Sequence, residues 1–298
     1  MALRRIDIPL QTQTRKTKGG LMVATQMRHT VRMALRLVLA VLVTLVFLFP
    51  IYWLFIISFK TPDEIYSYPP KWYPGQFHLG TYAVLFQDRD ALTVWHSIVV
   101  ASCSTLLAMF FGTICAYSLA RFRTGGENLA NWIISQRMVP PIAVVFPIFL
   151  LYVWLGWVDT YLGVILLYTA FNLPYVIWMM RGYILDIPTA LEESALVDGC
   201  TRWQVLWKVV LPMSRAGLFA TGIFTFIFAW NDFLFALVLT RTEVTTYTVQ
   251  LTGYFGGQSN FWAKISAMSM LGTLPIFVIV GFLQRYMVRG ISLGAVKG

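Results

Sequence analysis

The sequence predicts an all-α integral membrane protein with six transmembrane helices. Three observations carry this. Hydrophobic residues make up 58% of the 298 positions and charged residues only 12%, about half the charged share of a soluble chain. Six mainly apolar runs approach the roughly 20 residues that a crossing needs. The cations also alternate between connectors in the way that sets orientation in a bilayer. A soluble domain is excluded, since too few polar side chains remain to cover its surface.

The opening segment, residues 1–32, is basic and polar and is expected to be disordered to about His29. It does not read as a cleavable signal peptide, because the apolar run after Arg36 is too long and lacks a small-residue cleavage site. The first span is Leu37–Ser58 and the second Val94–Ala120, ending at "ARFRTGG". The third, Asn131–Trp154, contains Arg137 and the pair Pro140-Pro141, which is the strongest candidate for a break at membrane depth. Freed carbonyls are tolerated there only against protein or water. Gly156–Thr160 is a tight connector to a fourth span, Tyr161–Met180. Ala216–Leu239 and Ile265–Phe282 complete the set, within a membrane domain of residues 33–288 and before a tail of residues 289–298.

Of the 23 Lys and Arg residues, 17 fall on the side of the N-terminal segment, the Arg121/Arg123 connector, the 181–215 region and the tail. Five lie on the other side, and Arg137 stays inside the third span. Retention of cations on the inner side therefore places both termini in the cytoplasm. The connector 61–92, rich in Pro, Tyr and Trp, becomes an external interfacial cap. Cys103, Cys115 and Cys200, and the three histidines, are scattered without the spacing of a disulfide framework or a metal site.

Between the fourth and fifth spans lies a polar island, residues 186–212, "DIPTALEESALVDGCTRWQVLWKVVLP". It reads as two short helices. The first opens near Asp186–Pro188, where Pro and carboxylates suit a helix start, and closes at Gly199, suited to the left-handed position after a helix. Leu191, Ser194, Ala195 and Asp198 share a face by their spacing. The second begins at Thr201, whose partner Gln204 makes a capping-box pattern. Trp203, Leu206, Trp207 and Val210 give it one apolar face, as in an interfacial helix. Asp198 near a helix end is disfavoured by about 0.3–1 kcal/mol unless a cation compensates, supplied either by Arg202 or by a basic partner. The island is thus either a solvated loop or a rigid acidic elbow built to dock.

Glu193-Ser194-Ala195, three residues, Gly199, nine residues, then Val209-x-Leu211-Pro212 resembles the EAA motif of ABC importer permeases, Glu-Ala-Ala, three residues, Gly, nine residues, Ile-x-Leu-Pro. Ser194 and Val209 are the departures. "IFAWNDFLFALVLT" (residues 227–240) and the terminal "GAVKG" are similar to the carbohydrate branch. The resemblance implies a type I importer permease fold, a second permease subunit, two ATPase subunits that hold Mg-ATP, and an external sugar-binding protein. It implies that Leu191, Glu192, Glu193, Ser194, Ala195, Asp198 and Gly199 form a cytoplasmic coupling helix, with Glu193 and Glu192 meeting basic residues of an ATPase and Gly199 making the bend. In maltose-type members an external loop reaches into the binding protein; Tyr254, Phe255, Gly256, Gly257 and Gln258 stand at that place. The chain carries no GxxxxGK[ST] phosphate loop, so the resemblance implies a transport subunit, not an enzyme, without its own cofactor. The location implied is a bacterial-type inner membrane.

Asn231, Asp232, Arg137 and Pro140 are candidates to line the pathway. Polar groups at such depth are usually paired or functional, and Asp232 either meets a sugar hydroxyl or braces a neighbouring helix. The competing class is an ion-gradient-driven transporter or channel, with Asp232 and Arg137 as coupling residues. It accounts for the spans but not for the elbow.

Overall fold

A computed structural model describes the backbone of residues 14–255 and 261–294, and side chains within residues 32–255 and 261–281. It divides into two units, residues 1–54 and 55–298. Every regular element among the described residues is helical.

The first unit is the body of α1 (Thr14–Ser58). The segment expected to be disordered to His29 is helical from Thr14, and the helix runs through the Gly19-Gly20 pair. From Arg32 to Ser58 the helix is long and apolar enough to cross a membrane.

In the second unit, α2 (Pro62–Ile65) and α3 (Gly80–Gln87) sit in the connector after α1. Phe59 contacts the rings of Phe77 and Tyr82 at 5.4 and 5.3 Å, so the aromatic residues of this connector fold onto themselves. The centre of the fold is α4 (Leu92–Arg121) against α7 (Tyr161–Leu185). Their close approach follows from small residues on α4: Ser97, Ala101, Ser104, Ala108, Gly112 and Ala116 are all buried. A Cβ on Gly112 would stand 2.6 Å from Cγ1 of Val176. Small residues at such intervals let membrane helices pack backbone to backbone.

The third span is broken. α5 (Gly126–Ser135) and a 3-10 turn (Gln136–Met138) meet α6 (Pro141–Leu155) at 91°. Pro140 is extended (φ −60°, ψ 126°), as is Val139 before it. A residue preceding proline is driven out of the helical region, and Pro141 then starts the next helix, where its missing N–H is harmless.

After α7 come α8 (Thr189–Val197), α9 (Arg202–Val205), a π turn (Leu206–Val210) and α10 (Leu211–Met213). α11 (Arg215–Asn231) leaves α9–α10 at 80°. The fifth span, expected to be continuous to Leu239, stops at Asn231 and resumes as α12 (Leu234–Leu239). No Pro or Gly marks this break. Asp232 is extended (φ −64°, ψ 132°), its carbonyl accepts the Thr248 hydroxyl (2.8 Å) and its Oδ1 accepts the Ala236 N–H (3.3 Å). α13 (Tyr247–Gly253) and α14 (Phe261–Gly294) close the chain. The tail expected from residue 289 is therefore still helical to Gly294.

Two apolar clusters fill the second unit. One gathers Tyr168, Phe226, Trp230, Phe235 and Met268. The other gathers Ala108, Val176, Met180, Ile184, Val205, Leu206 and Val210 beneath the elbow.

Asp159, at φ +58° in the α6–α7 connector, locks that connector to residues 241–244. Its carboxylate accepts the backbone N–H groups of Arg241, Thr242, Glu243 and Val244 at 2.9–3.2 Å, and the Thr242 hydroxyl at 3.2 Å. Partial burial works to raise the acid's pKa, but the four N–H donors outweigh it and hold the value at about 2, below the ordinary 3.8. A depressed carboxylate contributes stability that is present above the unfolded value and lost as pH falls through the folded one. Asp159→Asn should lower stability at pH 7 by about 1–2 kcal/mol, and the gap to wild type should narrow between about pH 4 and 2. Thermal unfolding of the detergent-solubilised protein across that range checks both points.

Candidate functional site: an acidic elbow on a buried ion pair

The elbow is assembled from local signals. Pro188 is extended (φ −58°, ψ 128°) and ends α7's influence before α8 begins. Gly199 at φ +87° makes the bend, a conformation that costs glycine little and other residues more. Thr201 Oγ1 accepts the Gln204 N–H (3.3 Å) and Gln204 Oε1 accepts the Thr201 N–H (2.8 Å), so both bonds of the capping box form. The sharp start and stop make α8 a short rigid rod.

Its two faces differ. Ala190, Leu191, Glu193, Ser194, Val197 and Asp198 are exposed, Val197 by 88%. The face that spacing suggested, with Ala195 alongside Leu191 and Asp198, is rotated: Ala195 packs with Leu196 against the lower apolar cluster. The tip thus shows two apolar side chains flanked by two carboxylates. Glu193 and Asp198 have no ion-pair partner among the described residues. Arg202, the local candidate to compensate Asp198, instead covers the Phe122 ring at 5.6 Å.

Glu192, expected to face outward beside Glu193, is turned inward. The helical step places it about 100° from Glu193, over the end of α4. Its Oε1 meets Nε of Arg121 at 2.6 Å and its Oε2 accepts the Tyr117 hydroxyl at 3.1 Å. Arg121 also donates through Nη2 to the carbonyls of Ile184 and Ile187, both at 2.8 Å. The side chains of Arg121 and Glu192 are only 8% and 4% exposed. Those two carbonyls belong to the last turn of α7 and the residues after it, where acceptors are otherwise orphaned. One guanidinium therefore ties α4, α7 and α8 together. Sequence reasoning counted Arg121 only as an orienting charge, and nothing in the local sequence points across 71 positions to Glu192.

The second island helix also differs from expectation. Leu206 and Val210 are buried, whereas Trp203 and Trp207 are about half exposed and contact each other at 6.0 Å. A π turn at 206–210 shifts the phase of the helix, so the four residues do not form one interfacial face. Val205 joins the buried set instead.

On the other side of the bundle, Tyr254 is anchored. Its hydroxyl donates to Asp90 Oδ2 (2.6 Å), and Gln250 donates to Asp90 Oδ1 (2.9 Å). Burial first, and then the Asp90 carboxylate, raise the phenol above its usual range. Phe255 next to it is 61% exposed. Gly256, Gly257 and Gln258 lie outside the described residues.

In the interior, Asp232 Oδ1 accepts the Tyr168 hydroxyl at 2.8 Å, so this carboxylate is engaged by α7 as well as by α12. Asn231 folds its amide back onto the Ile227 carbonyl (2.8 Å) and is exposed. Arg137 and Gln136 border a cavity of about 400 Å³ with Val139, Pro147, Phe171 and Pro174; Pro140 stands at the adjoining break.

Comparison with known proteins adds to this geometry. Residues 108–293, from α4 to the last helix, match the family described as binding-protein-dependent transport system inner membrane component. The chain is 32% identical over 265 residues to the diacetylchitobiose uptake system permease protein DasC of Streptomyces coelicolor, covering 88% of this chain and 96% of the relative. It is 30% identical over 265 residues to the trehalose/maltose transport system permease protein MalG of Thermococcus litoralis, covering 87% and 95%. Its fold superposes with a TM-score of 0.71, at 22% identity, on a chain of a bacterial ABC transporter involved in import of the acidic polysaccharide alginate, covering 94% of this chain and 99% of that one. The elbow and the broken spans lie within the matched region, and this chain belongs to the family of binding-protein-dependent transport system inner membrane components.

Proposed function

We infer that this chain is one permease half of an ATP-driven importer of a carbohydrate and that α8 is its coupling helix. The observation that carries the reading is the elbow tip: Glu193 and Asp198 stand without a counter-charge among the described residues, on a short rod whose root is fixed by the Arg121–Glu192 pair. A rod so fixed cannot tilt without moving α4 and α7. A basic groove on an ATPase subunit would pair the free carboxylates and accept Val197 and Leu191, which otherwise stay in water. Closure of two such ATPase subunits around Mg-ATP would then pull the elbow and open the bundle toward the outer side. A second, similar permease completes the pathway, and a binding protein delivers the sugar at the face that carries Tyr254 and Phe255. The relatives named for diacetylchitobiose and for trehalose/maltose support the carbohydrate class.

Affinity purification of this chain from its native membrane should retain a second permease and two copies of an ATPase. Proteoliposomes holding that complex should accumulate a carbohydrate only with ATP on the side of the elbow and the binding protein on the other. Uptake driven by an ion gradient without ATP would overturn the reading.

A further inference from the structure

Arg137 is a cation at mid-membrane depth that this chain does not neutralise among its described residues. Three placements agree on the depth. Arg137 lies near the middle of the broken span that runs from Gly126 to Leu155. The carbonyl it reaches, Phe171, is near the middle of α7. Phe228, beneath it, is near the middle of the interval from α11 to α12.

Of the five N–H donors of its guanidinium, one meets that carbonyl, at 3.4 Å. Among the described residues no carboxylate comes within ion-pair distance. The group instead rests on the faces of Tyr175 and Phe228, at 5.6 and 5.0 Å, and these two rings meet edge to face at 5.1 Å. Aromatic faces hold the planar fork in place without consuming its donors. The side chain remains exposed, at the rim of the 400 Å³ cavity. Phe228, and Phe224 at 6.5 Å from it, each present about two-fifths of their surface, faces on which the C–H side of a sugar ring can stack. An arginine at this depth is strongly disfavoured unless a pathway ligand or a partner compensates it.

We propose that Arg137 receives an acidic group of the transported solute, so that the carbohydrate carried by this permease bears a carboxylate, sulfonate or phosphate ester. This rests on the carbohydrate-import reading above. A guanidinium fork matches two oxygens of any of these groups in a bidentate pair, whereas a neutral hydroxyl leaves the charge uncompensated. The aromatic floor takes the sugar ring, and the arginine supplies the selectivity for its acid.

The test is uptake by cells carrying the whole transporter, across a panel of matched neutral and acidic sugars: galactobiose and digalacturonate, glucose and 6-deoxy-6-sulfoglucose, galactose and galactose 6-phosphate. The wild-type system is expected to take up an acidic member. Arg137→Gln should lower that uptake about 10- to 100-fold with the complex still assembled, and Arg137→Lys, which keeps the charge but not the fork, should retain part of it. Uptake of neutral sugars only would overturn the proposal and leave the carbohydrate reading standing. So would an Arg137→Gln variant that loses the second permease on purification, which would assign the counter-charge to that subunit. Absence of ATP-dependent uptake for every sugar would instead overturn the carbohydrate reading itself.

Discussion

Glu193→Lys is expected to reduce ATP-driven uptake by at least about 30-fold while the chain still inserts and folds. The carboxylate is exposed on α8 and makes no ion pair among the described residues, so its replacement disturbs nothing inside the bundle. If α8 is the coupling helix, the same position would face a basic groove in the docked complex. Reversing one charge of a desolvated interfacial pair removes about 2–5 kcal/mol, and each 1.4 kcal/mol is tenfold in an equilibrium. Glu193→Gln should fall between wild type and the lysine variant, since it removes the charge without adding repulsion. Uptake into proteoliposomes, together with the amount of ATPase retained on purification, measures the effect. Normal uptake by Glu193→Lys would rule out the elbow as the coupling element.

Arg121→Leu, at the end of α4, should be the single change that most destabilises the seat of the elbow. It leaves the Glu192 carboxylate buried with only the Tyr117 hydroxyl, and it removes the donor from two carbonyls at the end of α7. Losing one partner of a buried pair costs about 3–5 kcal/mol, whereas replacing both partners by apolar residues is often close to neutral. The unfolding midpoint in detergent should drop on the order of 10 °C. The double change Arg121→Leu with Glu192→Leu should recover most of that loss, short of the carbonyl bonds and the stranded Tyr117 hydroxyl. A midpoint unchanged in the single variant would show that the pair is not what holds α8 in place.

The helices with strong local signals were legible in the sequence. Val94–Ala120 and Tyr161–Met180 correspond to α4 and α7 within a few residues, Pro140-Pro141 marks the 91° break, and Gly199 and Thr201–Gln204 adopt the bend and the cap that their chemistry favours. These features depend on neighbours within one turn. What escaped depends on distant partners. The break at Asp232 is held by the Tyr168 and Thr248 hydroxyls, 64 and 16 positions away, on a residue whose weak helix propensity alone does not mark a stop inside an apolar run. The inward turn of Glu192 requires knowing that α4 ends beneath it. The Asp159 clamp joins residues more than 80 positions apart. Periodicity also misled where a single extra residue changed the phase, as at Leu206–Val210.

That wide turn makes the chain's tolerance of length changes uneven. A π turn accommodates one residue beyond the regular count, and removing it rotates the helix before the turn by about 100° relative to the helix after it. Deleting one residue from Leu206–Val210 would leave a smooth helix with Trp203 and the acidic tip aimed at the wrong quarter of the compass. The same deletion among the exposed residues Tyr68–Tyr73 rotates no helix, although it disturbs the bond from Lys60 to the Lys71 carbonyl. Natural insertions and deletions in close relatives should therefore collect in the second place and be purged from the first, as though the wide turn were a keyway that fixes the angle at which a shaft is mounted.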